Sequence, residues 1–536
     1  MKKILYSVKS VLVKKPDEIM TGIYARISGD KMRRLKWIVM IAVITTIMDY
    51  FYLMINGYCG PDAIIEGSHL YFSPIIQIRS MRWFIPYLNG MVGKNAVIPY
   101  VIVLLYGVLI ALSVFLLSEM IELTELLPNI LITSAMVSFP VVTRQYAFLY
   151  MALSYALSFF MVTFAAYLFR KRRVWSILLG TVALIIMFGS YQAYLAAAMG
   201  IVVMMFIYDM CKGRKIKETF IDVVIYGVCG VVSGVVNIGI AKLNLNAYGM
   251  ESYDRVQPLS VKESLTYLKS SLKFCYSELF KYFSEDMLGR RVLYRVLIAL
   301  VIGMTVYYMV RLLSEGKIAH ANLLAIGFLI LPVAINFCVI LFPHVGVSIL
   351  MKYQYVLLIP LAFMLGSMLP GKKIIANCVR WVICLSVFVL VAGYAVTAIT
   401  TQMGYKKAYE ATETQARLIL NDVYDVEGYV PGETKVILAG GIDWSNVLFD
   451  NLQLFSYNQM EAGPVFWGGV YGLTICRERY FKDYLGVNLG TVSNQEYFEA
   501  IESEEFAAMP VWPAKGSVDW VGDVVVVKMT DSPPFY

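Results

Sequence analysis

The residues best suited to chemistry in this 536-residue chain fall into short polar groups between long apolar runs. Asp62 and Glu66 follow the first apolar run and lie one helical turn apart. Arg79 and Arg82 come next, then Arg144-Gln145, Ser190-Tyr191-Gln192, and a group of His344, Lys352, Tyr353 and Gln354. A carboxylate could take a proton from a hydroxyl, and guanidinium or ammonium groups could hold a phosphate. Each residue also has a plainer role. Asp62 follows Gly60-Pro61, as a helix cap would, and Glu66 suits a solvated face. Arg82 and Lys352 suit anchoring to lipid headgroups, and Tyr146, Tyr194 and Trp83 suit an interfacial aromatic belt. Ser190-Tyr191-Gln192 suits an interhelical hydrogen-bond cluster, Gly230 and Gly234 suit close helix packing, and His344 suits a structural place. The cysteines show no paired ligand spacing, and no acid-rich DxD motif that would hold a metal appears in the outer loops.

What must position these groups is a membrane. Charged residues are only 16% and hydrophobic ones 59% of the chain, against about 25% charged in a soluble domain. Runs such as 37–53 and 101–117 are long enough to cross a hydrocarbon core of about 30 Å as helices, the form in which a chain satisfies its own backbone in lipid. About eleven spans fit, at 37–56, 97–117, 127–143, 147–168, 174–189, 192–209, 219–241, 293–311, 321–342, 354–370 and 375–398.

Charge orients them. The N-terminal segment 1–36 is basic and has no cleavage pattern, so it is expected in the cytoplasm as a plain tail or a surface-lying helix. The bases of 170–173, 211–217, 311–317 and 372–373 then fall on the same side. The polar groups above fall on the other side, together with loops 57–96 and 242–292. Loop 57–96 is itself apolar in places and is expected to lie on the membrane as amphipathic helices. Residues 37–398 form the membrane part. After Thr400 the chain carries roughly ten more acids than bases, whereas the part before it carries roughly eighteen more bases than acids. Residues 400–536 therefore read as a separate soluble α/β domain outside the cell, with a helix at 405–423 and buried strands at 435–439 and 524–528. The bases form no continuous face that would suit nucleic acid.

These features resemble a known family, the Gtr type II glucosyl transferases that decorate bacterial O-antigen. The resemblance is carried by Asp62 after the first span, by Arg82-Trp83-Phe84-Ile85-Pro86 ahead of the second, by Ser190-Tyr191-Gln192-Ala193-Tyr194, and by the tail opening at Lys435 to Gly440. It departs at Asp62, which is flanked by Pro61 and Ala63 where members often show two adjacent acids; Glu66 is the reserve.

The resemblance implies a GT-C type glycosyltransferase in the cytoplasmic membrane. Such an enzyme moves a hexose, glucose or a relative, from a polyprenyl phosphate to a surface polysaccharide at the outer face, without a cofactor or metal. Asp62 or Glu66 would be the base. Arg82, Arg144, Gln145, Tyr191, Gln192 and Lys352 would bind the substrate and its lipid phosphate. Implied partners are membrane lipid, the lipid-linked donor, the polymer acceptor, a small flippase and an enzyme that makes the donor. The competing readings are a transporter or flippase of lipid-linked saccharides, which should carry ionisable groups near the bilayer midplane, and a polysaccharide polymerase.

Overall fold

The computed structural model describes residues 31–57, 67–68, 71–72, 75–93, 96–252, 261–284, 290–342, 347–370, 374–441, 477–531 and 533. Asp62, Glu66, His344, Cys59 and Cys476 lie outside these residues. The protein is mostly helical. Among the described residues, seven helices are long and apolar enough to cross a membrane, and Val174–Ser190, Ile318–Ala334 and Tyr353–Ser367 are shorter apolar helices.

The bundle is built from α1 (Lys31–Asn56) onward. Two short antiparallel strands follow, β1 (Gly67–Ser68) and β2 (Tyr71–Phe72). Next come two short helices, α2 (Ile75–Arg79) and α3 (Phe84–Gly93), where helices lying on the membrane were expected. α4 (Pro99–Met120) packs back along α1. α5 (Leu126–Ser138) breaks before α6 (Pro140–Gln145), because a proline cannot donate the next helical hydrogen bond and pushes the preceding residue to extended geometry. Phe139 takes that geometry, with φ −51° and ψ 133°. A tight turn at Tyr146–Phe148 then leads into α7 (Leu149–Phe169).

The chain continues through α8 (Val174–Ser190), a turn at Gln192–Tyr194, α9 (Leu195–Lys212) and α10 (Ile216–Ala247). α11 (Val261–Ser284) falls inside the loop expected at 242–292 and packs on the bundle. α12 (Arg290–Ser314), α13 (Ile318–Ala334), α14 (Phe337–Leu341) and α15 (Leu358–Ser367) complete the group. Gly230 and Gly234, expected to allow close helix contact, do not: a methyl group on Gly230 would meet nothing within 4 Å, and one on Gly234 only Phe188 at 3.9 Å.

One end of the bundle collects ion pairs. Glu119 pairs with Lys31 and Arg34, Asp209 with Arg170 and Arg214, Asp222 with Arg172 and Arg214, and Lys212 with Glu122. Of the basic loops that the charge pattern grouped on one side, 170–173 and 211–217 thus meet at one end with their own acids, His320 joins the 311–317 loop to them through the Arg214 carbonyl, and 372–373 lie outside the described residues. The other end carries α2, α3 and the turns at 146–148, 192–194 and 349–357.

The long helix α16 (Ile374–Tyr424) spans 51 residues and passes unbroken through Thr400, where the composition changes. Beyond it, three strands form a mixed sheet in the order β3–β5–β4. β3 (Val436–Ala439) is parallel to β5 (Val524–Lys528), and β4 (Val518–Val521) is antiparallel to it. All five residues of β5 are buried. One face meets Ile419 and Val423 of α16, and the other meets Tyr497 and Phe506. A strand covered on both faces needs a continuous apolar run, which Val524 to Val527 supplies.

The helix α17 (Asn494–Ile501) starts with a capping box: Ser493 accepts from the Glu496 amide, and Glu496 accepts from the Ser493 amide. The Lys435 ammonium, at 2.6 Å, and then the Ser493 donors hold the Glu496 carboxyl down at about 2, against an ordinary 4.5. A depressed acid contributes stability above its unfolded value and loses it as pH falls through the folded one. Glu496→Gln should therefore raise hydrogen exchange at β3 and α17 in the intact protein near neutrality. The difference from wild type should fade between about pH 4.5 and pH 2. An equal difference at both ends of that range would dismiss the coupling.

Candidate active site

At the end away from the ion pairs, α2 ends in a turn that aims Arg82 into the bundle. The Met81 amide donates to Ile78 and the Arg82 amide to Gln77, at 2.9 and 2.8 Å. Met81 sits at φ +60°, in the left-handed region that costs an L-residue about 1–2 kcal/mol. The turn is held by the next element: the Gln192 side chain donates to the carbonyls of Met81 at 3.0 Å and Ser80 at 3.4 Å. Arg82 Nη1 donates to Gln77 Oε1 at 3.2 Å, and the guanidinium lies 4.7 Å from the centre of the Tyr191 ring. Its Nε is buried and has no partner, and no carboxylate pairs with Arg82 among the described residues.

Trp83 fastens the same segment from the other side. Its indole Nε1 donates to Asn237 of α10 at 2.8 Å, and its ring covers Gly189 so closely that an added Cβ would lie 2.5 Å from it. Gly189→Ala should push Trp83 off and destabilise the protein by about 1–3 kcal/mol, the usual range for an overpacked contact. Thermal unfolding of the purified protein measures this. A melting point equal to wild type would show that Trp83 is not held there.

The other sequence candidates are placed as follows. Tyr191 is 6% exposed, beneath Arg82, and Tyr155 stands edge-on to it at 4.8 Å. Gln145, at the end of α6, is fully buried. It accepts from Tyr106 at 2.6 Å and donates to Tyr194 at 3.0 Å and to the Leu350 carbonyl at 3.4 Å, so its amide ties three elements together. Arg144, its neighbour, is half-buried. Lys352 is paired with Glu278 of α11, both side chains largely covered. Tyr146 and Tyr194 are 1% and 2% exposed, inside the bundle rather than in the aromatic belt expected for them. Arg82, Tyr191 and Gln192 form one contact group, and Tyr194, 5.9 Å from Tyr191, joins it to Gln145.

Sequence reasoning passed over Gln77, Asn237, Tyr106 and Glu278. Asn237 carried a signal, an amide inside an apolar run. Glu278 lies 74 residues from its partner and carried none.

Among the described residues, then, a half-buried guanidinium with no carboxylate partner stands at one end of a helical bundle whose long apolar helices suit a multi-pass membrane protein. Over residues 70–359, more than half of the chain, the sequence matches the family described as glucosyl transferase GtrII, and the chain belongs to that family. It is a hexosyltransferase. Asp62 and Glu66 precede the matched residues, whereas Arg82, Arg144, Gln145, Tyr191, Gln192 and Lys352 fall within them. No curated protein and no solved structure matches this chain.

Proposed function

We propose that this transferase takes glucose or a related hexose from a polyprenyl phosphate and adds it to a cell-surface polysaccharide. The reaction takes place at the outer face of the cytoplasmic membrane, and the N-terminus is in the cytoplasm. The observation that carries the reading is the Arg82 guanidinium, which has no carboxylate partner among the described residues and is fixed by Tyr191 and Gln77 at the end opposite the basic loops. Basic loops stay on the cytoplasmic side, so Arg82 faces out.

In the reaction, an acceptor hydroxyl attacks the anomeric carbon while the bond from that carbon to the phosphate oxygen breaks. Asp62, with Glu66 as reserve, takes the hydroxyl proton. Negative charge grows on the lipid phosphate, and Arg82, Arg144 and Lys352 meet it. Direct displacement with a single base inverts the anomeric centre. Tyr191, Gln192 and Gln145 hold the cationic groups and their turns in place. The overall architecture is of the GT-C type, with residues 37–398 as the catalytic part and 400–536 as the domain facing the polymer.

A transport reading is favoured by one observation: Asp49 is 4% exposed inside α1, beside a bend in that helix. The purified chain in lipid nanodiscs, given polyprenyl-phosphate glucose and a polysaccharide acceptor, separates the two. Transfer of labelled glucose to polymer is the expected result. Reconstituted into liposomes instead, a chain that moves the donor between leaflets without transfer would establish transport. A change in chain length without a change in side branches would indicate a polymerase.

A further inference from the structure

An α-helix bonds each N–H to the carbonyl four residues back, so the Leu53 amide should meet the Asp49 carbonyl. In α1 that rung is broken. Tyr50 leaves helical geometry, with φ −125° and ψ 17°. The side chain of Gln402, from α16, stands in the gap. Its Oε1 accepts from the Leu53 amide at 2.9 Å, and its Nε2 donates to the Asp49 carbonyl at 2.5 Å and to its own Ala398 carbonyl at 2.9 Å. Gln402 is 2% exposed. One amide thus supplies both halves of the missing rung, where water would not be available.

The bend that Gln402 splints is also where α1 grips the broken helix. Asp49 accepts a hydrogen bond from Ser138, just before the Phe139–Pro140 break. The Tyr50 hydroxyl lies 3.3 Å from both the Val137 carbonyl and the Thr143 hydroxyl, on either side of it. The Tyr50 ring is 4.7 Å from that of Tyr146. Arg144 and Gln145 sit between those two anchor points.

We infer that Gln402 is a positioning residue for sugar transfer: by splinting the bend in α1 it fixes the turn that carries Arg144 and Gln145. This rests on the transferase reading above. Gln402 touches no substrate and acts through α1 and α6.

The test uses the full chain in nanodiscs with polyprenyl-phosphate glucose, comparing wild type with Gln402→Leu, which keeps the size and removes both polar atoms, and with Gln402→Glu, which keeps the acceptor and removes the donor. For each, kcat per donor-binding site is expected to fall about 100-fold, the cost of a misplacement of about 1 Å, with donor KM changed less than about threefold. Exchange at the Leu53 amide and across 143–146 should rise together. Thr143→Val, which severs the Tyr50 contact, should add little to the loss in Gln402→Leu. Either glutamine variant keeping wild-type kcat per binding site overturns the inference, even if less protein folds, and so do additive losses. Failure of wild type itself to transfer glucose removes the transferase reading, and the inference with it, and is seen in the control alone.

Discussion

Replacing Arg82 with Ala should lower kcat about 100- to 1,000-fold, or about 2.7–4 kcal/mol of transition-state stabilisation, the usual cost of losing one preorganised charge donor. The reason is geometric. A surface arginine is screened by water and paired at will, whereas Arg82 is held in one pose by Gln77 and by the Tyr191 ring, with its Nε buried and unpartnered. It needs little reorganisation to meet the charge that grows on a departing phosphate. Lys352 is already neutralised by Glu278, so Lys352→Ala should cost less. Arg82→Lys should not restore activity, because an ammonium lacks the planar fork that lies on the ring. Steady-state kinetics with polyprenyl-phosphate glucose decide the matter. Unchanged turnover in purified Arg82→Ala would take this residue out of the site.

The second large effect is expected from Asp62→Asn. General-base catalysis contributes about 10²- to 10⁴-fold, and an amide of the same shape cannot accept the acceptor proton. Expression and membrane insertion should be unchanged, since the substitution keeps the side chain's size and only removes a charge. Glu66→Gln should be milder if Asp62 is the base, and the two effects should exchange places if Glu66 is. Near-normal product from Asp62→Asn would refute its assignment.

Much of the membrane part was legible because lipid imposes a strict rule, that long uncharged runs become helices. The basic loops at 170–173 and 211–217 do converge on one end, joined to the 311–317 loop by His320 on the Arg214 carbonyl, and Arg82, Tyr191 and Gln192 do come together. Other features were hidden for physical reasons. Hydropathy reports the solvent around a segment and not whether its backbone continues, so the change at Thr400 read as a boundary although α16 runs through it. The bend at Tyr50 has no local cause in the sequence, with no proline or glycine beside it; its support comes from Gln402, far along the chain. Gln145 read as a site residue because it follows Arg144. Its three bonds to Tyr106, Tyr194 and Leu350 make it a tie between elements, which no spacing rule reveals.

The unbroken course of α16 has a mechanical consequence. At 51 residues it is about 77 Å long, enough to leave a bilayer and still reach the sheet it supports. A rod without a joint transmits tilt, so the height and angle of the tail depend on how its lower half sits in lipid. A thicker membrane stands such a helix upright and a thinner one leans it over. On the proposed topology, lipid composition would set where the tail is held above the surface, and the same tilt would pass Gln402 on the way.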